Sequence, residues 1–532
     1  MRSCNDIMRG RMWLVAGLLV AFFAYLVIQL YRVQIIQHKD LQDQAWKKYT
    51  FPKKISGKRG EIFDSHGNLL VGNMPCQDVT ITPCNIKPED DQRIARLLAD
   101  ALNLDYDTVY KKVSDKTRQV KDSSGKIQLF VGKSEIGEEQ FGIFKKIDIG
   151  DIVGITGPTF VTRMGELSIR VRELTLLSKS LRPLPEKFHG LVDVEQRYRQ
   201  RYLDLIMNDE SKRVLMTRSL ILKELRNYLD AKGYMEVETP MLQSIPGGAA
   251  ATPFQTHLNA LNTDVYLRIA TELSLKKLLV GGFEKVYEVN RNFRNEGMDR
   301  KHNPEFTAIE LYQAYGNCES MMELVEDMIK TLAMKINGTM VIHVGGRDID
   351  LGKPWRRAAY KDLVKEAAGD DWFDLSREEK FKRAKELGAP VMADWTDLEL
   401  THEIYEKLVE DTLIEPTFVT RLPMELVPLA RKCEDDPTLV DVYELEINGQ
   451  EISPGYTDLN DPIDQRQRLM DQVTRSGKDP AQAVDEDFLN ALEYGMPPTG
   501  GMGMGIDRLV MLLTGADSIR DVILFPQLKP QK

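Results

Sequence analysis

The sequence predicts a multidomain α+β protein. It comprises an N-terminal transmembrane helix with a small α/β segment behind it, a short β-rich stretch, and a large domain built on an antiparallel sheet with flanking helices. Three observations predict this. Met12–Tyr31 is almost wholly apolar, with Gln29 its one clearly polar residue, and about 20 such residues cross a bilayer as a helix. Lys126–Val131, Asp151–Ile155 and Leu167–Val171 are β-type runs separated by Gly, Asp and Thr turns. Glu288–Gly297 and Met298–Tyr312 read as a strand, a charged turn and a returning strand, with Glu310 and Tyr312 on one face.

At 532 residues the chain has room for several domains of roughly 100–200 residues each. The net charge of −10 excludes a surface that is basic throughout, yet Arg197-Tyr-Arg-Gln-Arg201 supplies a local basic cluster. The five cysteines (Cys4, Cys76, Cys84, Cys318 and Cys433) are odd in number and contain no Cys-x-x-Cys pair, so neither a disulfide framework nor a zinc site is indicated.

Taken in order, the apolar run continues into Arg32-Val-Gln-Ile-Ile without a small-residue cleavage site, which favours an uncleaved anchor over a signal peptide. Its orientation stays open, because Arg2, Arg9 and Arg11 precede it while Arg32, Lys39, Lys47 and Lys48 follow. Lys58–Leu70 and the helical Asp91–Leu102 resemble the non-catalytic pedestal of class B penicillin-binding proteins, a likeness that extends over residues 1–118. No transpeptidase is expected, because no Lys-Thr-Gly exists and Ser274-Leu-Lys-Lys277 falls in a different region. Leu181–Gly190 is a Pro/Gly-punctuated linker, with His189 lacking a metal partner. Arg218–Ala231 has helical periodicity, with Leu222, Leu225 and Leu229 on one face and Gly233 at its end.

The hairpin carries the chemistry. Arginines, a histidine, a phenylalanine and glutamates gathered on Glu288–Tyr312 suit a ligand that is partly anionic, partly aromatic and partly cationic, which ATP with an amino acid satisfies. These residues resemble motif 2 of the class II aminoacyl-tRNA synthetases, of the bacterial lysyl type. Tyr234–Leu242 resembles motif 1 and Gly500–Leu509 motif 3, in family order, within a likeness running from about Lys121 to the C-terminus. The implied organisation is a tail and anchor at 1–35, a pedestal segment at 36–118, a truncated OB-type anticodon barrel at 119–180 lacking its first strand, and a catalytic domain at 181–532. That domain carries a helical insertion at about 358–413.

By the same resemblance, Arg294 grips the reacting carboxylate and α-phosphate, while Arg508 lies toward the γ-phosphate. Glu296 accepts from the adenine amino group, Phe306 stacks on the base, and His302 and Asn303 approach the phosphates. Glu444 and Glu451 would hold Mg2+. Glu272, with the backbone at Gly248, would take the lysine α-amino group, with Glu310 and Tyr312 around its side chain. The chain departs from the pattern on its last pocket strand. Pro454 replaces the usual Asn, Tyr456 is the aromatic, and Asp458 stands where a glutamate pairs the ε-ammonium. Gln128 matches a base-reading position. The resemblance implies lysine–tRNA ligation from ATP, L-lysine and tRNA(Lys), by a homodimer joined through Arg218–Ala231 and motif 1. Its catalytic part would be cytoplasmic and tethered to the membrane through residues 12–31. The alternatives are a tRNA-independent lysyl transferase and a membrane-anchored interaction protein.

Overall fold

The computed structural model describes residues 127–163, 165–182, 184, 191–475 and 484–531, with only 62–63, 69–71 and 96 before them. The chain divides into two compact units, Met1–Pro183 and Leu184–Lys532. The expected membrane span at Met12–Tyr31 lies outside the described residues, as does most of the pedestal segment. Among the described residues no helix is long and apolar enough to cross a membrane.

In the first unit, Gln128–Phe130 pairs in parallel with Leu167–Arg170, which pairs antiparallel with Thr159–Val161. Ile152–Thr156 and Glu173–Ser178 form a separate antiparallel pair. A truncated barrel is the expectation here, and the described residues form two small sheets and a helix, Lys133–Phe144, with no closed barrel among them. A barrel closes only when each strand is paired on both sides. Phe130, Ile152 and Leu177 remain 50%, 60% and 64% exposed. A small core of Ile136, Val171 and Leu174 holds this unit together.

The second unit is built on one eight-stranded sheet. Its strands are β1 (Met235–Glu236), β2 (Lys285–Phe293), β3 (Glu305–Ala314), β4 (Arg356–Ala359), β5 (Thr417–Thr420), β6 (Val442–Glu446), β7 (Glu451–Thr457) and β8 (Thr499–Gly505). They lie in the order β4-β5-β6-β7-β8-β3-β2-β1, antiparallel except where β1 meets β2 and β4 meets β5. Helices α1 (Asp209–Ala231), α3 (Cys318–Asn337) and α4 (Ile506–Thr514) contribute to the core on one side, and α2 (Glu272–Val280) lies against β2 and β3. Strand alternation decides the layering. Ile309 and Leu311 are fully buried in the helix-covered core, while Glu310 and Tyr312 face the other way. Local signals fix the ends of α3: Asn317 and Ser320 form a reciprocal cap, and Gly338 closes the last turn at φ +69°. The insertion expected at about 358–413 forms helices Tyr360–Ala368, Arg377–Glu386 and Asp397–Ile404, with the fully buried Trp372 in their cluster. Capping boxes at Ser376/Glu379 and Thr396/Glu399 start the last two.

Candidate active site

The floor of the site follows from strand register. β3 pairs with β8 so that Tyr312 faces Gly501, and β8 pairs with β7 so that Gly501 faces Tyr456. Cross-strand partners share a face, so two tyrosines flank a bare glycine. A Cβ at Gly501 would lie 2.4 Å from Tyr312 Cε1, which explains why this strand position carries no side chain. Above this row is a cavity of about 520 Å3.

One end of the cavity is lined by arginines, a histidine and a phenylalanine. Arg294, Glu296, His302, Asn303, Phe306 and Arg508 all line it. The turn after β2 and the strand β3 bring Arg294 over Phe306, with the guanidinium carbon 5.2 Å from the ring centroid. Its buried Nε has no hydrogen-bond partner, so the guanidinium retains a donor for a ligand. Arg508 is aimed by two contacts: Nη1 donates to the Glu451 carbonyl oxygen at 2.6 Å, and Nη2 lies 3.1 Å from His302 Nε2. His302 is oriented in turn by Asp299, at 2.8 Å from Nδ1. Glu296 accepts from the Thr252 backbone N–H at 3.1 Å, and Asn303 donates to the Glu305 carbonyl at 2.6 Å.

The other end is acidic. Glu272, Glu310, Tyr312, Tyr456 and Gly248 line it. Gly248 adopts φ +85° and a Cβ there would sit 3.3 Å from Glu272 Cβ, so glycine lets the backbone approach the carboxylate. Glu310 accepts from the Thr271 N–H at 3.1 Å and from Asn292 Nδ2 at 3.4 Å. Burial nonetheless pushes its carboxyl above the usual range. Tyr456 donates to Glu272 Oε1 at 2.5 Å. Asp458 does not line the cavity: it is 1% exposed, behind the row of tyrosines, and burial lifts its carboxyl to about 7 despite the nearby Lys276. Lys276 lies 2.5 Å from Glu272 Oε1 and 2.6 Å from Asp458 Oδ1. The second contact is an ion pair without regular hydrogen-bond geometry, and neither Asp458 oxygen has a well-directed donor.

Carboxylates suited to a divalent cation sit on the β6–β7 hairpin. Its Asn448-Gly449 turn takes positive φ at both residues, 57° and 65°. Glu451 lines the cavity and Glu444 does not. Burial, and next the charge of Glu451, raises Glu444 to about 8. Neighbouring acids that resist joint ionisation fit an added cation. Among the described residues no group of three or more His, Cys, Asp or Glu is arranged to hold a metal ion. Gln128 belongs to the other unit, where its Oε1 accepts from Ser168 Oγ at 2.9 Å.

Two residues escaped the sequence reading. Glu446 pairs across the hairpin with Glu451, and burial raises it to about 9. The alternation Glu444-Leu-Glu446 could have found it, because period two puts both on one face. Lys276 lies one helical turn after Glu272, a spacing that ordinarily marks a surface ion pair.

A cavity with arginines at one end and buried carboxylates at the other suits an enzyme that brings an anionic and a cationic ligand together. The family described as tRNA synthetases class II (D, K and N) matches residues 193–529, and the Penicillin-binding Protein dimerisation domain matches residues 54–159. The chain is 56% identical over 413 residues to the lysine–tRNA ligase of Syntrophomonas wolfei, an overlap covering 77% of this chain and 84% of that protein. It is 54% identical over 418 residues to that of Pelotomaculum thermopropionicum, covering 78% and 83%. For that of Bacillus subtilis the identity is 52% over 413 residues, covering 77% and 83%. The chain belongs to the class II tRNA synthetases, and within them to the group whose relatives are lysine–tRNA ligases.

Proposed function

We propose that this protein is an ATP-dependent lysine–tRNA ligase, which forms lysyl-adenylate and passes the lysyl group to tRNA(Lys). The observation that carries the reading is the polarity of one cavity: Arg294, His302 and Arg508 at one end, and Glu272 and Glu310 between two tyrosines at the other. In the first step a carboxylate oxygen of lysine attacks the α-phosphorus and pyrophosphate leaves. Two anions must meet for this, and a planar guanidinium with a donor to spare can hold both. Arg294 takes that role, and Phe306 supplies the ring for adenine. Arg508, aimed by His302, meets the leaving phosphates. Glu444 and Glu451 would hold Mg2+, which supplies charge neutralisation along the phosphates. In the second step a terminal ribose hydroxyl of the tRNA attacks the acyl carbon and AMP leaves.

Homodimerisation through α1 and motif 1 is supported by Met216 and Leu220 on α1 and by Met235, Met241 and Leu242 after it, all exposed apolar side chains. Tethering of a cytoplasmic catalytic part rests on the Met12–Tyr31 run alone. The test is lysine-dependent ATP–pyrophosphate exchange by the parent and by Arg294→Ala. Loss of one such electrostatic contact should lower exchange at least ~100-fold, and exchange within a few-fold of the parent would remove Arg294 from the chemistry.

A further inference from the structure

The cation held at the acidic end of the cavity belongs to the chain itself. Lys276 has no exposed side-chain area, its Nζ lies 2.5 Å from Glu272 Oε1 and 2.6 Å from Asp458 Oδ1, and it sits 5.8 Å from the Tyr312 ring centroid and 5.4 Å from that of Tyr456. Two carboxylates and two aromatic rings are what a free lysine ammonium would seek. Three of those four groups line the cavity, and the fourth, Asp458, does not. Lys276 and the Tyr456 hydroxyl both meet Oε1 of Glu272, which leaves Oε2 for a ligand.

We infer that Lys276 is an internal counter-ion that takes Asp458 out of substrate recognition, leaving Glu272 and Glu310 to the two ammonium groups of the amino acid. Asp458 then serves Lys276 rather than the substrate. This accounts for an aspartate there, since its partner reaches it from within the protein. The shorter acid need not span the distance to a ligand.

This inference rests on lysine being the amino acid, and a double-mutant cycle on the full chain tests it. Steady-state exchange is measured for the parent, Lys276→Gln, Asp458→Asn and the double variant, with KM for lysine and for ATP separated. Lys276→Gln leaves the Asp458 carboxyl without its partner, and Asp458→Asn leaves Lys276 with Glu272 as its remaining carboxylate contact, so each should raise the lysine KM by at least roughly tenfold with the ATP KM little moved. The double variant removes both charges together and should return the lysine KM to within a few-fold of the parent. A merely structural role would move both KM values and show no such rescue. A double variant impaired as much as Asp458→Asn alone would overturn the inference, because Asp458 would then bind substrate directly. If the single variants do not fold, the double variant decides alone: a few-fold change supports the inference and a tenfold rise overturns it. A parent with no lysine-dependent exchange would instead sink the underlying reading, and the inference with it.

Discussion

Asp458 is 1% exposed, and its Oδ1 lies 2.6 Å from Lys276 Nζ. Its position in the last pocket strand was legible, and the charge sign required by a cationic substrate was too. Its depth was not, because nothing local encodes that Lys276 comes from another element to meet it. The buried acid has a pH consequence. Its folded pKa of about 7 lies above the unfolded value of about 4, so the folded chain binds more protons between those limits. The sign follows from linkage: this group makes the fold less stable as pH rises from about 4 to about 7, with no further change above. Asp458→Asn lacks that term. Whatever its absolute stability, its Tm should therefore rise relative to the parent between pH 5 and pH 8. A constant Tm difference would show that Asp458 is already ionised at pH 5. Arg294, by contrast, was readable from its motif, since the turn and its neighbours lie within a single hairpin.

At the scale of elements, alternation and register explain most of what was readable. The β2–β3 hairpin gave the floor of the site directly, because Glu310 and Tyr312 are two residues apart and Ile309 and Leu311 alternate with them. What local pattern could not supply was the neighbour. Gly501 reads as part of a glycine run, and only the pairing of β3 with β8 shows that its missing Cβ makes room for Tyr312. Gly501→Ala should therefore push the Tyr312 ring aside, since a Cβ at 2.4 Å overlaps it. Overpacking of this kind costs about 1–3 kcal/mol. The expected outcome is a lower Tm together with a raised lysine KM and a smaller change in ATP KM, all from one preparation. Unchanged lysine KM would mean that Tyr312 does not contact the amino acid. The insertion between β4 and β5 was expected to be helical from the family resemblance, and its Ser376 and Thr396 caps follow the ordinary start signals.

For the whole molecule, the sequence separated two kinds of chain but not the point where they meet. The boundary read near residue 118 marks where the synthetase likeness begins, whereas the Penicillin-binding Protein dimerisation domain match continues to residue 159. Residues 119–159 thus answer to both patterns, since short alternating strands with polar turns suit either fold. Among the described residues, Gln128 stands on an exposed three-residue strand paired with one neighbour, Leu167–Arg170, and a tRNA cradle built on it would be partial. Base stacking and edge contacts contribute about 1–3 kcal/mol per base. Aminoacylation should therefore fall by one to a few powers of ten relative to exchange, mainly through the KM for tRNA. Equal retention of both activities would mean that residues before 127 complete the anticodon surface.

The unit formed by Leu184–Lys532 has its own continuous core and holds the entire cavity, so adenylate formation should not depend on the first unit. The most direct measurement is ATP–pyrophosphate exchange by the full chain, run separately with each of the common amino acids in the presence of Mg2+. Exchange driven by lysine far above every other amino acid is the predicted result. Exchange driven equally by a neutral or acidic amino acid, or by none, would contradict the assignment of the acidic end of the cavity to a cationic substrate.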